Sequence, residues 1–80
     1  MGIYDVVVKR IRELCMEHNI TPNGLSYRAG VSQSTVKSIL NGESTNPGIV
    51  TIKKLCDGLD ISIIDFFDTE EFRELEQELK

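Results

Sequence analysis

Eighty residues, 40% of them apolar and 28% charged, are enough for one folded domain and too few for two. A domain this small buries only about 60% of its unfolded surface, which disfavours the deep cleft of most enzymes and favours a small binding module. The net charge of −4 counts against nucleic acid, whose affinity rests on neutralised phosphates, unless the acids are gathered away from a binding face.

Residues 4–18 place Tyr4, Val7, Val8, Ile11, Leu14 and Cys15 close to the i, i+3, i+4, i+7 pattern of an amphipathic helix. The run Val6-Val7-Val8 is β-branched and leans towards a strand, but the downstream spacing outvotes it. Asn19 reads as the stop and Ile20 as an apolar plug. Thr21-Pro22 then supplies a hydroxyl N-cap followed by proline at the first helical position. The second helix runs to Ala29, is weakened within by Gly24, buries Leu25 and Ala29, and ends at Gly30, which can turn with φ > 0.

Val31 plugs the turn and Ser32 caps a third helix, Gln33 to Leu40, closed by Asn41-Gly42. Asn46-Pro47 looks like a second cap-plus-proline start, opening a fourth helix over about 48–58 with Ile49, Ile52, Leu55, Cys56 and Leu59 as its core stripe. Ser62 with Asp65 is a capping-box variant, and Ile63, Phe66 and Phe67 form the inward set of a fifth helix. Residues 69–80 have helix-forming composition, with Phe72, Leu75 and Leu79 spaced for one face. That face either covers the domain's own core beside Phe67 or pairs with a second copy, and the second is slightly favoured. The expected organisation is an all-α body over 1–68 and an acidic amphipathic extension over 69–80.

The acidity belongs to that extension. Residues 65–80 hold Asp65, Asp68, Glu70, Glu71, Glu74, Glu76 and Glu78 against Arg73 and Lys80, a net of −5, while residues 1–64 hold seven bases against six acids, a net of +1. A nearly neutral body predicts weak non-specific DNA affinity and a need for dimerisation or good base contacts.

Gly30-Val31-Ser32 is too tight a turn for antiparallel packing, so the second and third helices meet as a helix-turn-helix, whose second helix projects and can enter a major groove. On a helical wheel Val36, Ile39 and Leu40 define the inner side of this helix. Ser34, Lys37, Ser38 and Asn41 fall about 100–200° away, on an outer side with no acid and no bulky apolar residue. Gln33 offers the donor and acceptor that match adenine N6 and N7. Ser34 and Ser38 are short enough to let the helix sit deep, and Lys37 reaches guanine or a phosphate. Thr35 suits a phosphate or a thymine methyl. Asn41, Ser44, Thr45, Thr21 and Asn23 suit the backbone, joined by free N–H groups at the start of the second helix.

The string from Leu25 to Val36 (LSYRAGVSQSTV) resembles the core of the Xre-type, lambda-repressor-like helix-turn-helix family. The resemblance continues through Asn41-Gly42, Asn46-Pro47, Thr51 to Leu55 and Ile61-Ser62-Ile63 to Phe66-Phe67. It implies a compact five-helix DNA-binding domain, here with a C-terminal helical extension, often a homodimer on a palindromic operator. It also implies that Gln33, Ser34, Lys37 and Ser38 face bases and Asn41 a phosphate. Four positions depart from the family pattern. Pro22 replaces the usual glutamine, and Ser26 replaces a small alanine, so its hydroxyl needs a partner. Cys15 and Leu40 replace an arginine–glutamate pair, so the two are expected to touch. Asp60 replaces glycine and is expected to take φ > 0, which aspartate tolerates better than most residues.

Other features point away from chemistry. Cys15 and Cys56 lie far apart without metal-ligand spacing and suit reduced core thiols. His18 stands alone, with no partner for a metal or catalytic role. Neither a nucleophile–base pair nor a cofactor or metal motif is present, so no enzyme is expected. No apolar run approaches the ~18 residues of a membrane span. No signal peptide is legible, and the opening Met-Gly lacks a hydroxyl at Val6 for myristoylation, so a cytoplasmic protein is expected. A rival expectation is an antitoxin or interaction module whose acidic C-terminal helix grips a basic protein partner while the front end still binds DNA. Another rival keeps the fold and has given up DNA.

Overall fold

The computed structural model describes residues 2–79, and every regular element among them is helical. The helices of these residues are α1 (Ile3–Glu17), α2 (Pro22–Ala29), α3 (Gln33–Leu40), α4 (Ile49–Gly58), α5 (Ile63–Phe67) and α6 (Glu70–Arg73), the five expected of the body and a short one in the extension. Most boundaries follow local chemistry. The Thr21 hydroxyl accepts from the Gly24 N–H at 3.0 Å, Ser32 from Thr35 at 3.1 Å and Ser62 from Asp65 at 3.0 Å, each satisfying a donor that the first helical turn leaves unpaired. Asn19 ends α1 at φ 52°, Gly30 ends α2 at φ 67°, and Asp60 takes φ 57°, as its departure from glycine demanded.

The core gathers Val7, Ile11, Leu14 and Cys15 of α1, Leu25 of α2, Val36 and Ile39 of α3, Ile52, Leu55 and Cys56 of α4, Leu59, and Phe66 of α5. Leu40 packs against this cluster, to which Cys15 belongs, so the place of an ion pair is filled by apolar packing. Both cysteines are free and buried, and burial pushes each thiol above its ordinary range. The Ser26 hydroxyl, buried beneath α3, donates to the Asn23 carbonyl at 2.6 Å. The close α2–α4 approach depends on Gly58, where a Cβ would lie 3.0 Å from Ala29.

Side chains of α1 bracket the ends of two other helices. The Tyr4 hydroxyl donates to the Ile39 carbonyl, and Arg12 donates to Leu40 O at 3.3 Å. Arg10 donates to the carbonyls of Phe66 and Asp65 at 2.8 and 2.9 Å. Carbonyls of the last turn have no intrahelical partner, and an arginine there also complements the helix dipole.

Three expectations are corrected. Asn46-Pro47 does not open α4: Gly48 is the N-cap, with no side-chain bond. Pro47 is half-buried and lines a cavity of about 190 Å³ with Ile3, Tyr4, Ile49 and Phe67, so it packs against α1 rather than starting the helix. Ile49 is not a core residue but 65% exposed, because at the first position of α4 it overhangs the rim of that cavity.

The third correction concerns the extension, which is not a continuous helix; α6 is a single turn, and residues 75–79 are irregular. Phe72 packs with its ring centroid 4.8 Å from Phe67 and 6.1 Å from Phe66, which anchors the turn. Beyond it Glu74, Glu76 and Glu78 crowd like charges into a stretch too short to sustain a helix alone. The chain returns along α1: Glu71 bonds Lys9 at 2.7 Å, and Leu75 lies half-buried beside Val6. Val6 is thereby buried, on a side of α1 that the periodicity assigned to solvent. Leu79 is 85% exposed, and Lys80 lies outside the described residues.

Candidate nucleic-acid interface

The outer side of α3 is open to solvent. Gln33, Ser34, Thr35, Lys37 and Asn41 are exposed, Ser38 is half-buried, and Val36 and Ile39 hold the helix from beneath. The acidic extension lies along α1, at Val6 and Lys9, and leaves this surface open.

The start of α3 is a network of hydroxyls. Ser32 Oγ lies 2.7 Å from Thr35 Oγ1 and 3.3 Å from Ser34 Oγ, so the cap residue orients two of its neighbours. Gln33 stands at the first helical position with its amide exposed. Thr21 spends an acceptor lone pair on the Gly24 N–H and keeps its hydroxyl proton for another partner.

Asn23, Lys37 and Asn41 share the rim of a shallow depression of about 240 Å³ with Pro22, Leu40 and Arg12. Arg12 is a residue that the sequence did not single out for this face. Its place on the flank of the apolar stripe of α1 marks it only as solvent-facing; the packing of α1 across the end of α3 brings it beside Lys37. One guanidinium and one ammonium group thus share an edge of the surface with two amides.

The loop after α3 divides. The Ser44 N–H donates to the Ser38 carbonyl at 2.9 Å, so Ser44, half-buried, closes the helix end. Thr45 is exposed and lines the Pro47 cavity, at the edge of the surface rather than on it. Glu43 lies in the same loop. Its carboxylate accepts from Asn41 Nδ2 at 3.0 Å and lies 3.5 Å from Ser38 Oγ.

The residues expected to pair two copies are dispersed. Phe67 and Phe72 are half-buried against their own core, Leu75 lies beside Val6, and Leu79 is exposed at the chain end. Ile64, 75% exposed, borders Phe67, an apolar neighbour that sequence periodicity did not bring into the set. Among the described residues no three His, Cys, Asp or Glu side chains gather as metal ligands, and no helix is long and apolar enough to cross a membrane.

The model of the Cro/C1-type helix-turn-helix DNA-binding domain matches residues 10–71. Among solved structures, the crystal structure of the prophage Lp1 protein 11 resembles this chain with a TM-score of 0.81 at 38% identity, over 94% of this chain and 100% of that one. No curated protein matches.

Proposed function

The chain belongs to the Cro/C1-type helix-turn-helix DNA-binding family, and from that premise we propose that it is a sequence-specific transcriptional regulator, a repressor acting as a homodimer on a palindromic operator in the cytoplasm. The observation that carries the proposal is the exposed outer side of α3, to which the helix itself contributes no acid in a chain with thirteen acids.

In this reading α3 enters the major groove. Gln33 pairs with an adenine edge, Lys37 reaches guanine or a phosphate, and Ser34 and Ser38 bond whatever base edges lie beneath them. Thr21, Asn23, Thr35, Asn41, Ser44 and Thr45 set the register on the backbone, and Arg12 joins them through the depression it shares with Asn23 and Lys37. The DNA contacts belong to residues 1–68 and the extension 69–80 supplies none. The protein binds without performing a reaction of its own.

A second copy completes the regulator, placing two α3 helices about 34 Å apart on one side of the duplex. The Phe67 surface with Phe72, Leu75 and Leu79 is assigned to that pairing. Phe67 and the bordering Ile64 carry most of it, because Phe72 and Leu75 already lean on their own chain. A partner protein gripped by the extension is the second reading, favoured by the exposed, irregular acidic segment that ends in Leu79.

Selection of bound duplexes from a random pool tests the proposal. The expected product is a palindrome whose half-sites repeat at one helical turn. Recovery of a single unrepeated site would remove the homodimer, and recovery of no preferred sequence would remove the regulator.

A further inference from the structure

Glu43 is the sole carboxylate between Glu17 and Asp57, and the fold sets it against the surface assigned to DNA. Its Oε1 accepts from Asn41 Nδ2 at 3.0 Å, its Oε2 lies 3.5 Å from Ser38 Oγ, and its N–H donates to Asn41 Oδ1 at 3.2 Å. Both polar atoms of the Asn41 amide are therefore engaged by one residue. Asn41 Nδ2 and Ser38 Oγ are donors suited to an anionic or carbonyl oxygen of the duplex, and here an anionic oxygen already occupies them. A carboxylate and a phosphate compete for the same donors, and their like charges cannot share the place cheaply.

We propose that Glu43 is an autoinhibitory residue of the DNA interface: its carboxylate stands where a phosphate would bind, holds Asn41 and Ser38, and must be displaced before a duplex seats. The inference rests on the DNA-binding reading given above. Displacement costs the same whatever the base sequence, so Glu43 lowers affinity for every duplex by one factor and reads no base. A body with a net charge of only +1 over residues 1–64 is thereby held off DNA unless the base contacts are good.

The test measures binding of the full chain, its Glu43→Gln, Glu43→Ala and Asn41→Ala variants, and the double variant that combines Glu43→Ala with Asn41→Ala. Two probes are used at low salt: a random-sequence duplex and a duplex recovered by selection. Glu43 is exposed in a loop, and a thermal melt verifies that each variant folds. Both Glu43 variants are expected to tighten binding to both probes by the same factor, roughly two- to fivefold, the scale of one exposed charge interaction. The gain should shrink when Asn41 is absent. In the DNA-free protein the Asn41 side-chain amide resonances should move on Glu43→Ala.

Unchanged affinity, a loss confined to one base pair of the selected duplex, an equal gain with and without Asn41, or unmoved amide resonances would each overturn the inference. If the wild-type chain bound neither duplex the DNA-binding reading would fall and the inference with it, an outcome distinct from wild-type binding that Glu43→Ala leaves unaltered.

Discussion

Two glycines show how different causes fix a residue type. Gly30 takes φ 67° with open space where a Cβ would go, whereas Gly58 is helical and a Cβ there would meet the Cα, Cβ and N of Ala29 at 3.0 Å. Alanine at 30 carries backbone strain of about 1–2 kcal/mol. Alanine at 58 gains about 1 kcal/mol of helix propensity and loses about 1–3 kcal/mol to overpacking against atoms that cannot swing aside. Both changes should lower the melting temperature. Asparagine separates them: Gly30→Asn should recover most of the loss, since asparagine tolerates the left-handed region, and Gly58→Asn should be worse than alanine. Denaturant melts of the four variants read this directly.

Residues whose role is local were legible in the sequence. Thr21, Ser32 and Ser62 cap the helices they precede, and Asp60 adopts the positive φ that its place required. Those roles depend on a few neighbouring residues, which sequence displays in order. Arg12 and Glu43 were not legible as site residues, because their neighbours come from other elements or from the course of a loop. Ile49 was misplaced for a related reason: periodicity assigns a side of a helix but not whether a partner extends far enough to cover its first turn.

Between elements, α1 does more than fill the core. Tyr4 and Arg12 hold the last carbonyls of α3, so this helix is fixed at its C-terminal end by α1 and at its start by Ser32. Removing the Tyr4 hydroxyl should therefore cost about 0.5–1.5 kcal/mol; Tyr4→Phe in a urea melt tests this, and an unchanged midpoint would mean that water replaces the bond without loss. The extension is divided in function as well as in form. Truncation after Arg73 should lower the melting temperature only slightly, because it uncovers Val6 where Leu75 lay but retains Phe72 and the ion pair of Lys9 with Glu71. Truncation after Asp68 removes Phe72 from its packing on Phe66 and Phe67 and should lower it clearly. Equal effects of the two cuts would contradict the anchoring role of Phe72. Helix-forming composition suggested one amphipathic helix here; an aromatic anchor followed by three closely spaced glutamates gives one turn and an irregular end.

At the scale of the whole molecule the charge is segregated. A nearly neutral body carries the outer surface of α3, with Glu43 at its edge, and the acids of the extension lie along α1. Two bodies joined about a two-fold axis would present two such surfaces to one side of a duplex, so any change in one base-reading residue must appear twice, symmetrically, in the preferred site. Repeating the selection from random DNA with Gln33→Ala is the most direct test. The account predicts an affinity loss of about 1–3 kcal/mol on the original site, with preference relaxed at one base pair in each half-site and intact elsewhere. A uniform loss on all sequences, or no change at any position, would contradict the assignment of α3 as the reading helix.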